Sequence, residues 1–423
     1  MPRFLFAIVL ALSGCGDDDR APTDAGSTDV AVVDAPDAAS DVGTDAPDVA
    51  TPIDAGPQDC ASLLRSNTDF LLSEDGLAIH PAATFDGENL WLTYTIREGE
   101  TSNFDVVLRR VACDGSTGPT VIVNDSADGD SDLDSDITIS GERLLVGYQT
   151  DDQSGENSAI RPFVRAFDLS GEAIASSQAV ARERDGATIM ATNWMVRVAS
   201  RPGGFWVAGT WGVEEVSGFR GYAARLDLDG VELAPAVDVA PTDQTESQTN
   251  LAISDGETPY VAWTNFGDAS QVASTPFGGS VTEFESGSIT EDNPALSGEL
   301  LSLQAGGGAR LSIQVRNLVT GASASIGGIS DANAYSDIAG SPDAFALVWL
   351  RQVSGTRNRV FVASGSETAG EMTLSAPVEI DTSADAAPYP PFIVALGEGR
   401  YFVGWTQVVM SPNFQVHGRI VEF

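Results

Sequence analysis

The sequence predicts an all-β fold: a seven-bladed β-propeller of four-stranded antiparallel blades, closed by an N-terminal strand that completes the last blade. Three observations carry this expectation. A strand–turn–strand phrase recurs along residues 60–423, its spacing fits a propeller blade, and one spare strand stands ahead of the first copy.

The phrase is a short strand, a Gly-containing turn, then an aromatic or aliphatic run ending in a bulky residue. Its copies include Leu90-Trp91-Leu92-Thr93-Tyr94, Leu144-Leu145-Val146-Gly147-Tyr148 and Phe205-Trp206-Val207-Ala208-Gly209. Tyr260-Val261-Ala262-Trp263, a degenerate Leu301-Ser302-Leu303-Gln304-Ala305, Phe345-Ala346-Leu347-Val348-Trp349 and Tyr401-Phe402-Val403-Gly404-Trp405 follow. The copies recur about every 52 residues, a blade-sized period. After each comes a second alternating strand, such as Phe163-Val164-Arg165-Ala166-Phe167, ending in hairpin chemistry such as Asp168-Leu169-Ser170-Gly171. A more polar fourth strand, such as Thr120-Val121-Ile122-Val123, completes the unit.

Along these strands, large residues share one face with the terminal ring, while Ala262, Gly404, Gly147 and Ala208 lie across the pleat. Blades stacked face to face bury both faces, so a bulky ring on one requires a shallow neighbour on the next. The last copy is followed by only one further strand, Gln415 to Phe423. The spare strand Asp69-Phe70-Leu71-Leu72-Ser73 is of the outer type, so it is expected to complete that sheet and leave no edge. Two β-sandwich domains are the competing reading, which accounts for the hairpins but not for the displaced strand.

Residues 16–59 are a different polymer, with 12 Asp and one Arg among Ala, Pro, Thr and Val in 44 positions. Nothing there can build a core, so a disordered, self-repelling tether is expected, reaching on the order of 140 Å when stretched. Ahead of it, residues 1–15 carry Arg3, an apolar run from Phe4 to Leu12, and Leu12-Ser13-Gly14-Cys15. The run is too short to span a bilayer and suits a secretory signal. Its ending resembles the lipobox of bacterial lipoproteins. That resemblance implies lipidation of Cys15, export, and membrane attachment through the lipid. Gly16 after the cysteine implies the outer membrane, by similarity to the enterobacterial sorting rule. In an oxidising compartment Cys60 and Cys113 are expected to form a disulfide, worth roughly 4 kcal/mol in the chain-entropy model; two free thiols are the alternative.

Charge narrows the function. The chain holds 61 acidic and 22 basic residues, a formal net charge of −39, and every basic residue is arginine. Nucleic acid as a partner is excluded by that balance, and lysine-dependent Schiff-base or P-loop chemistry by the missing lysine. With only His80 and His417, histidine-based catalysis and a zinc centre are not expected, and no catalytic set emerges. Within Asn124–Asp136, alternating Asp128, Asp130, Asp132, Asp134 and Asp136 offer oxygen ligands for calcium, the one cofactor considered; a plain acidic loop is the alternative. Asp128-Gly129-Asp130-Ser131-Asp132-Leu133 looks like the calcium loop of FG-GAP propeller repeats, though it lacks a second glycine and occurs once. Trp194, Trp211 and Trp263 near the loop-bearing face are candidates for stacking on a protein or glycan ligand; strand-end tryptophans also serve as core. The expected function is therefore a non-catalytic binding or scaffold module of the cell envelope. The alternative is a carbohydrate-active enzyme, a glycoside hydrolase or lyase, using carboxylates in the central channel.

Overall fold

Period-two alternation of apolar residues, punctuated by Gly and Asp turns, makes every regular element among the described residues a strand. The computed structural model describes residues 70–423 apart from 74–75, 98–102, 113–114, 126–130, 152–159, 181–182, 185–186, 189–192, 214–217, 241–246, 267–269, 285–289, 308–309, 328–331, 355–356, 381–384 and 411–412. Cys15, Cys60, Cys113, Asp128, Asp130 and the 16–59 segment lie outside the described residues.

The strands pair in successive antiparallel groups. Leu77–Phe85, Asn89–Arg97, Phe104–Ala112 and Thr117–Ile122 come first, then Ser131–Ser140, Arg143–Asp151, Ile160–Asp168 and Gln178–Ala179. Asn193–Arg201, Gly204–Val213, Gly218–Leu226 and Val237–Asp238 form the next, followed by Ser247–Ile253, Tyr260–Phe266, Ser270–Pro276 and Thr282–Glu283. Thr290–Ser297, Leu300–Gly307, Arg310–Asn317 and Ser323–Ile326 precede Ala332–Ser341, Ala344–Ser354 and Arg357–Thr368, the last edged by Glu371–Leu374 and Val378–Ile380. The final group joins Phe392–Gly397, Arg400–Met410 and Asn413–Glu422 to Phe70–Leu71 from the other end of the described chain.

That last pairing is antiparallel, with Phe70 opposite Gly418 and Leu71 opposite His417. Leu72 N–H donates to the Val416 carbonyl at 2.9 Å, and the Ser73 hydroxyl accepts Val416 N–H at 2.9 Å. Two arginines reveal that Leu72 stands where an outer strand ends. Arg165 donates to the carbonyls of Ala175 and, in the preceding group, of Val123. Arg109, one group earlier, donates to Gly118 and to Leu72 in the same fashion. Leu72 and Val123 are both fully buried. A single parallel pair, Leu77 with Phe414, further joins the first group to the last.

Neighbouring groups pack by fitting bulk into shallowness. A Cβ placed on Gly147 would lie 2.7 Å from Val196 Cγ1 and 2.9 Å from Val198 Cγ1 of the next group. Within the final group the same fitting recurs, Gly404 leaving room for the Phe392 ring and Gly418 for Phe402 and Leu72. Fully buried rings, among them Trp91, Trp206, Trp263, Trp349 and Trp405, fill the layers between groups. Phe70 lies over Gly115, where a Cβ would come within 2.5 Å of its ring.

One expectation is corrected. Ser131 to Asp136 are not part of a loop but open the strand Ser131–Ser140, paired to Arg143–Asp151. The segment is polar, yet pairing along one edge satisfies its backbone, and its carboxylates find partners of their own.

The arginine–carbonyl pattern makes Leu72 a core residue although its strand pairs through only two residues, Phe70 and Leu71. Leu72→Ala is expected to cost about 2–4 kcal/mol in urea unfolding, as for a central leucine, rather than the few tenths typical of a frayed terminus.

Candidate functional site in the central channel

The innermost strands of the groups share a local irregularity. Each of five carries one extra residue opposite its partner strand, and at that bulge stands a non-glycine residue in the left-handed region: His80 (φ 51°), Asp134 (φ 50°), Asn250 (φ 49°), Asn293 (φ 50°) and Tyr335 (φ 53°). Asn, Asp and His tolerate this conformation best, because a short polar side chain can bond locally. Tyrosine does not, and its strain costs of order 1–3 kcal/mol. Bulges of this type turn a side chain out of the ladder's alternation. These five line a common cavity of about 460 Å³, walled by residues from every innermost strand between His80 and Ala395.

Charged groups converge there. His80 Nδ1 lies 2.7 Å from Asp134 Oδ1, and the His80 ring meets Tyr389 edge-on at 4.8 Å. Gln149 Nε2 donates to Asp134 Oδ2 at 3.3 Å. Burial works to raise the Asp134 carboxyl, but the attraction of His80 and Arg197 and these hydrogen bonds outweigh it, leaving it below its ordinary value.

Two residues on, Asp136 spans two groups: Oδ1 accepts Ile137 N–H and Oδ2 accepts Val198 N–H of the next inner strand, both at 2.9 Å. Asp337 repeats the arrangement, accepting Ile338 N–H at 2.8 Å and Ile393 N–H at 2.9 Å. Despite these bonds, burial raises Asp136, helped by Asp255 and opposed by Arg197. Burial likewise pushes Asp337 up to about 6, with Asp136 adding to the rise and Arg197 and the two N–H donors opposing it. The two carboxylates and Arg197 thus share one field. Asp255, whose Oδ1 accepts Ser200 N–H at 2.6 Å, borders the same cavity.

The residues singled out from sequence are distributed differently. Asp134 and Asp136 reach the cavity, but Asp132 is buried and accepts the Thr150 hydroxyl at 2.5 Å. The three therefore do not gather round one point as calcium ligands, because the strand and its bulge send each to a separate partner. Among the described residues no group of three or more His, Cys, Asp or Glu side chains is disposed to hold a metal ion. Trp211 (1% exposed) stacks on Tyr222 with ring centroids 5.0 Å apart, and Trp263 (0% exposed) donates Nε1–H to Asn265 at 2.8 Å. Both are interior residues and present no ring to a ligand. Trp194 belongs to the strand Asn193–Arg201, and its side chain lies outside the described residues. Sequence reading overlooked His80, Arg197, Asp255, Asp337 and Tyr335 as site residues. The signal available was the inner strand itself: His80-Pro81, Asn293-Pro294, Asp134-Ser135-Asp136 and Tyr335-Ser336-Asp337 fall in register once aligned on the bulge.

No family model matches the chain, and no curated protein matches it. Solved structures do. A protein of unknown function from Dyadobacter fermentans is 12% identical, with 86% of this chain and 100% of that one covered and a TM-score of 0.53. The α-L-arabinanase of Penicillium chrysogenum, solved with arabinobiose, is 11% identical over 84% of this chain and 98% of its own, with a TM-score of 0.49. The neuraminidase-like protein of subtype N11 from a bat influenza virus is 9% identical over 84% and 91%, with a TM-score of 0.47. Strand pairing defines an all-β protein built of successive antiparallel groups, and the Dyadobacter protein, at a TM-score of 0.53, shares that fold. At these identities the likeness concerns the fold alone.

Asp337 gives the channel a pH signature. Its folded-state carboxyl holds a proton up to about pH 6, whereas an unfolded aspartic acid releases it near 3.8. The folded chain therefore binds more protons across that interval, and stability falls as pH rises through it, by about 1–3 kcal/mol, staying lower above. Melting curves from pH 4 to 7 are expected to show this decline in the wild type and a flatter profile in Asp337→Asn.

Proposed function

We propose that the chain is an envelope lipoprotein whose closed propeller takes a saccharide unit in its central channel, and that Asp337 and Asp136 act on it as an acid–base pair. The observation carrying this reading is the convergence of the two carboxylates with Arg197 inside one cavity. Asp337 is raised to about 6, and Asp136 is held partly in check by the guanidinium. A cavity of about 460 Å³ falls within the ordinary size range of ligand sites.

In glycoside hydrolysis Asp337, whose buried carboxyl keeps a proton up to about pH 6, donates it to the glycosidic oxygen as the C–O bond breaks. Asp136 in its ionised form, which burial disfavours and Arg197 favours, accepts a proton from the water that attacks the anomeric carbon. Two carboxyls with different environments thus take different roles. Binding without turnover is the second reading. It is favoured by a specific observation: every oxygen of Asp136 and Asp337 already accepts a backbone N–H and so also fastens neighbouring strands.

Seven blades of four strands, sealed by the segment around Phe70, are supported by the succession of antiparallel groups and by the equivalence of Leu72 and Val123. A bridge between Cys60 and Cys113, both outside the described residues, belongs to the same reading. The lipid on Cys15 and the acidic spacer 16–59 hold the propeller off a bacterial, outer-membrane surface.

Two experiments test these readings. Incubating the full chain with envelope and plant polysaccharides is expected to release reducing ends, and Asp337→Asn to lower the rate at least a hundredfold with the fold retained. Retained binding without product selects the second reading, and neither binding nor product overturns both. Cys15→Ser is expected to move the chain from the membrane fraction to the soluble fraction of the producing cell.

A further inference from the structure

The charges meeting in the channel do not balance. Asp134, Asp136, Asp255 and Asp337 line the cavity, and His80 and Arg197 are the basic side chains among its lining residues. Both are engaged: His80 stands against Asp134, and Arg197 attracts Asp134, Asp136 and Asp337 together. Among the described lining residues no further basic group is left to receive an anion brought by a ligand. A uronic or sialic acid carboxylate entering here would meet like charge in a site walled by protein, where repulsion is poorly screened.

The other side of the imbalance is an attraction. Asp136 and Asp255 bring like charge to the wall of the same cavity, Asp136 from its interior and Asp255 from its exposed edge, and each accepts a backbone N–H from the neighbouring inner strand, which fixes its position. A positive charge between them would offset that like charge. Independent of the charges, Ser135 is only 6% exposed, lines the same cavity and has a hydroxyl without a hydrogen-bond partner. A buried hydroxyl left unpaired costs free energy that a ligand hydroxyl can recover.

We infer that the sugar unit accepted by the channel carries a protonated amine, its ammonium set against Asp136 and Asp255 and one of its hydroxyls meeting Ser135. This inference rests on the saccharide reading proposed above and adds the substrate class. It also bears on the division of labour in the channel: an ammonium beside Asp136 favours its ionised form.

Calorimetric titration of the full chain at pH 7 with short glucosamine oligomers, their N-acetylated counterparts, neutral glucose oligomers, glucuronic acid oligomers and putrescine tests it. Glucosamine oligomers are expected to bind at least tenfold more tightly than the N-acetylated and neutral ones, with no measurable binding of the glucuronic series. Asp255→Asn, melting at the wild-type temperature, is expected to narrow that ratio to about twofold. Equal affinity for the charged and N-acetylated oligomers, or preference for the glucuronic series, overturns the amine and leaves the saccharide site standing. Putrescine binding as tightly as the glucosamine oligomers overturns the sugar part. Failure of every oligomer to bind removes the saccharide reading itself.

Discussion

Each sheet of this protein must bury both of its faces, and that requirement governs everything else. A free-standing sheet spends one face on solvent. Here Trp91, Trp206, Trp263, Trp349 and Trp405 are all sealed between neighbours. The fit depends on shallow positions such as Gly147, whose missing side chain admits Val196 and Val198 of the next group. A succession of sheets packed this way has two raw ends unless it returns on itself. Leu72 removes them: it occupies the outer-strand position of the last group and is gripped by Arg109 of the first, as Val123 is gripped by Arg165.

Bringing the innermost strands together around an axis creates a second constraint. Five of these strands carry a one-residue bulge that leaves His80, Asp134, Asn250, Asn293 or Tyr335 in a left-handed conformation. The same bulge turns these side chains toward the cavity. Strain is concentrated where polar side chains accumulate, and Asp136 and Asp337 hold the strained strands to their neighbours by accepting N–H groups across the gap. The carboxylates that line the cavity are therefore the ones that fasten its strands. Asp337 illustrates the tension: its two N–H donors favour the anion, yet burial and the nearby Asp136 prevail and keep it protonated to about pH 6.

Much of the architecture was legible in the middle strands. Leu144 to Tyr148 and Tyr401 to Trp405 read as copies of one phrase because the same packing layer demands the same alternation of bulky and small residues. The outer-strand character of Asp69 to Ser73 was legible for the same reason, and its pairing with Asn413–Glu422 follows. Trp211 and Trp263 were open between a ligand face and the core, since strand position alone does not say how far the next sheet overlaps a ring, and burial places both in the core. Asp132, Asp134 and Asp136 read as one calcium-binding alternation, but a bulge between Leu133 and Asp136 breaks the period on which that reading relied.

What the sequence by itself determined is local: strand periodicity, turn chemistry, the acidic balance and the spacer-like composition of 16–59, each set by residues within a few positions of one another. Only the tertiary structure decided that His80 meets Asp134 and that Asp136, Arg197 and Asp337 share one cavity. These residues lie far apart along the chain, and the field they share depends on where the ring's axis falls and how each bulge aims its side chain. Position relative to that axis is a property of the closed assembly of sheets, and no single strand contains it.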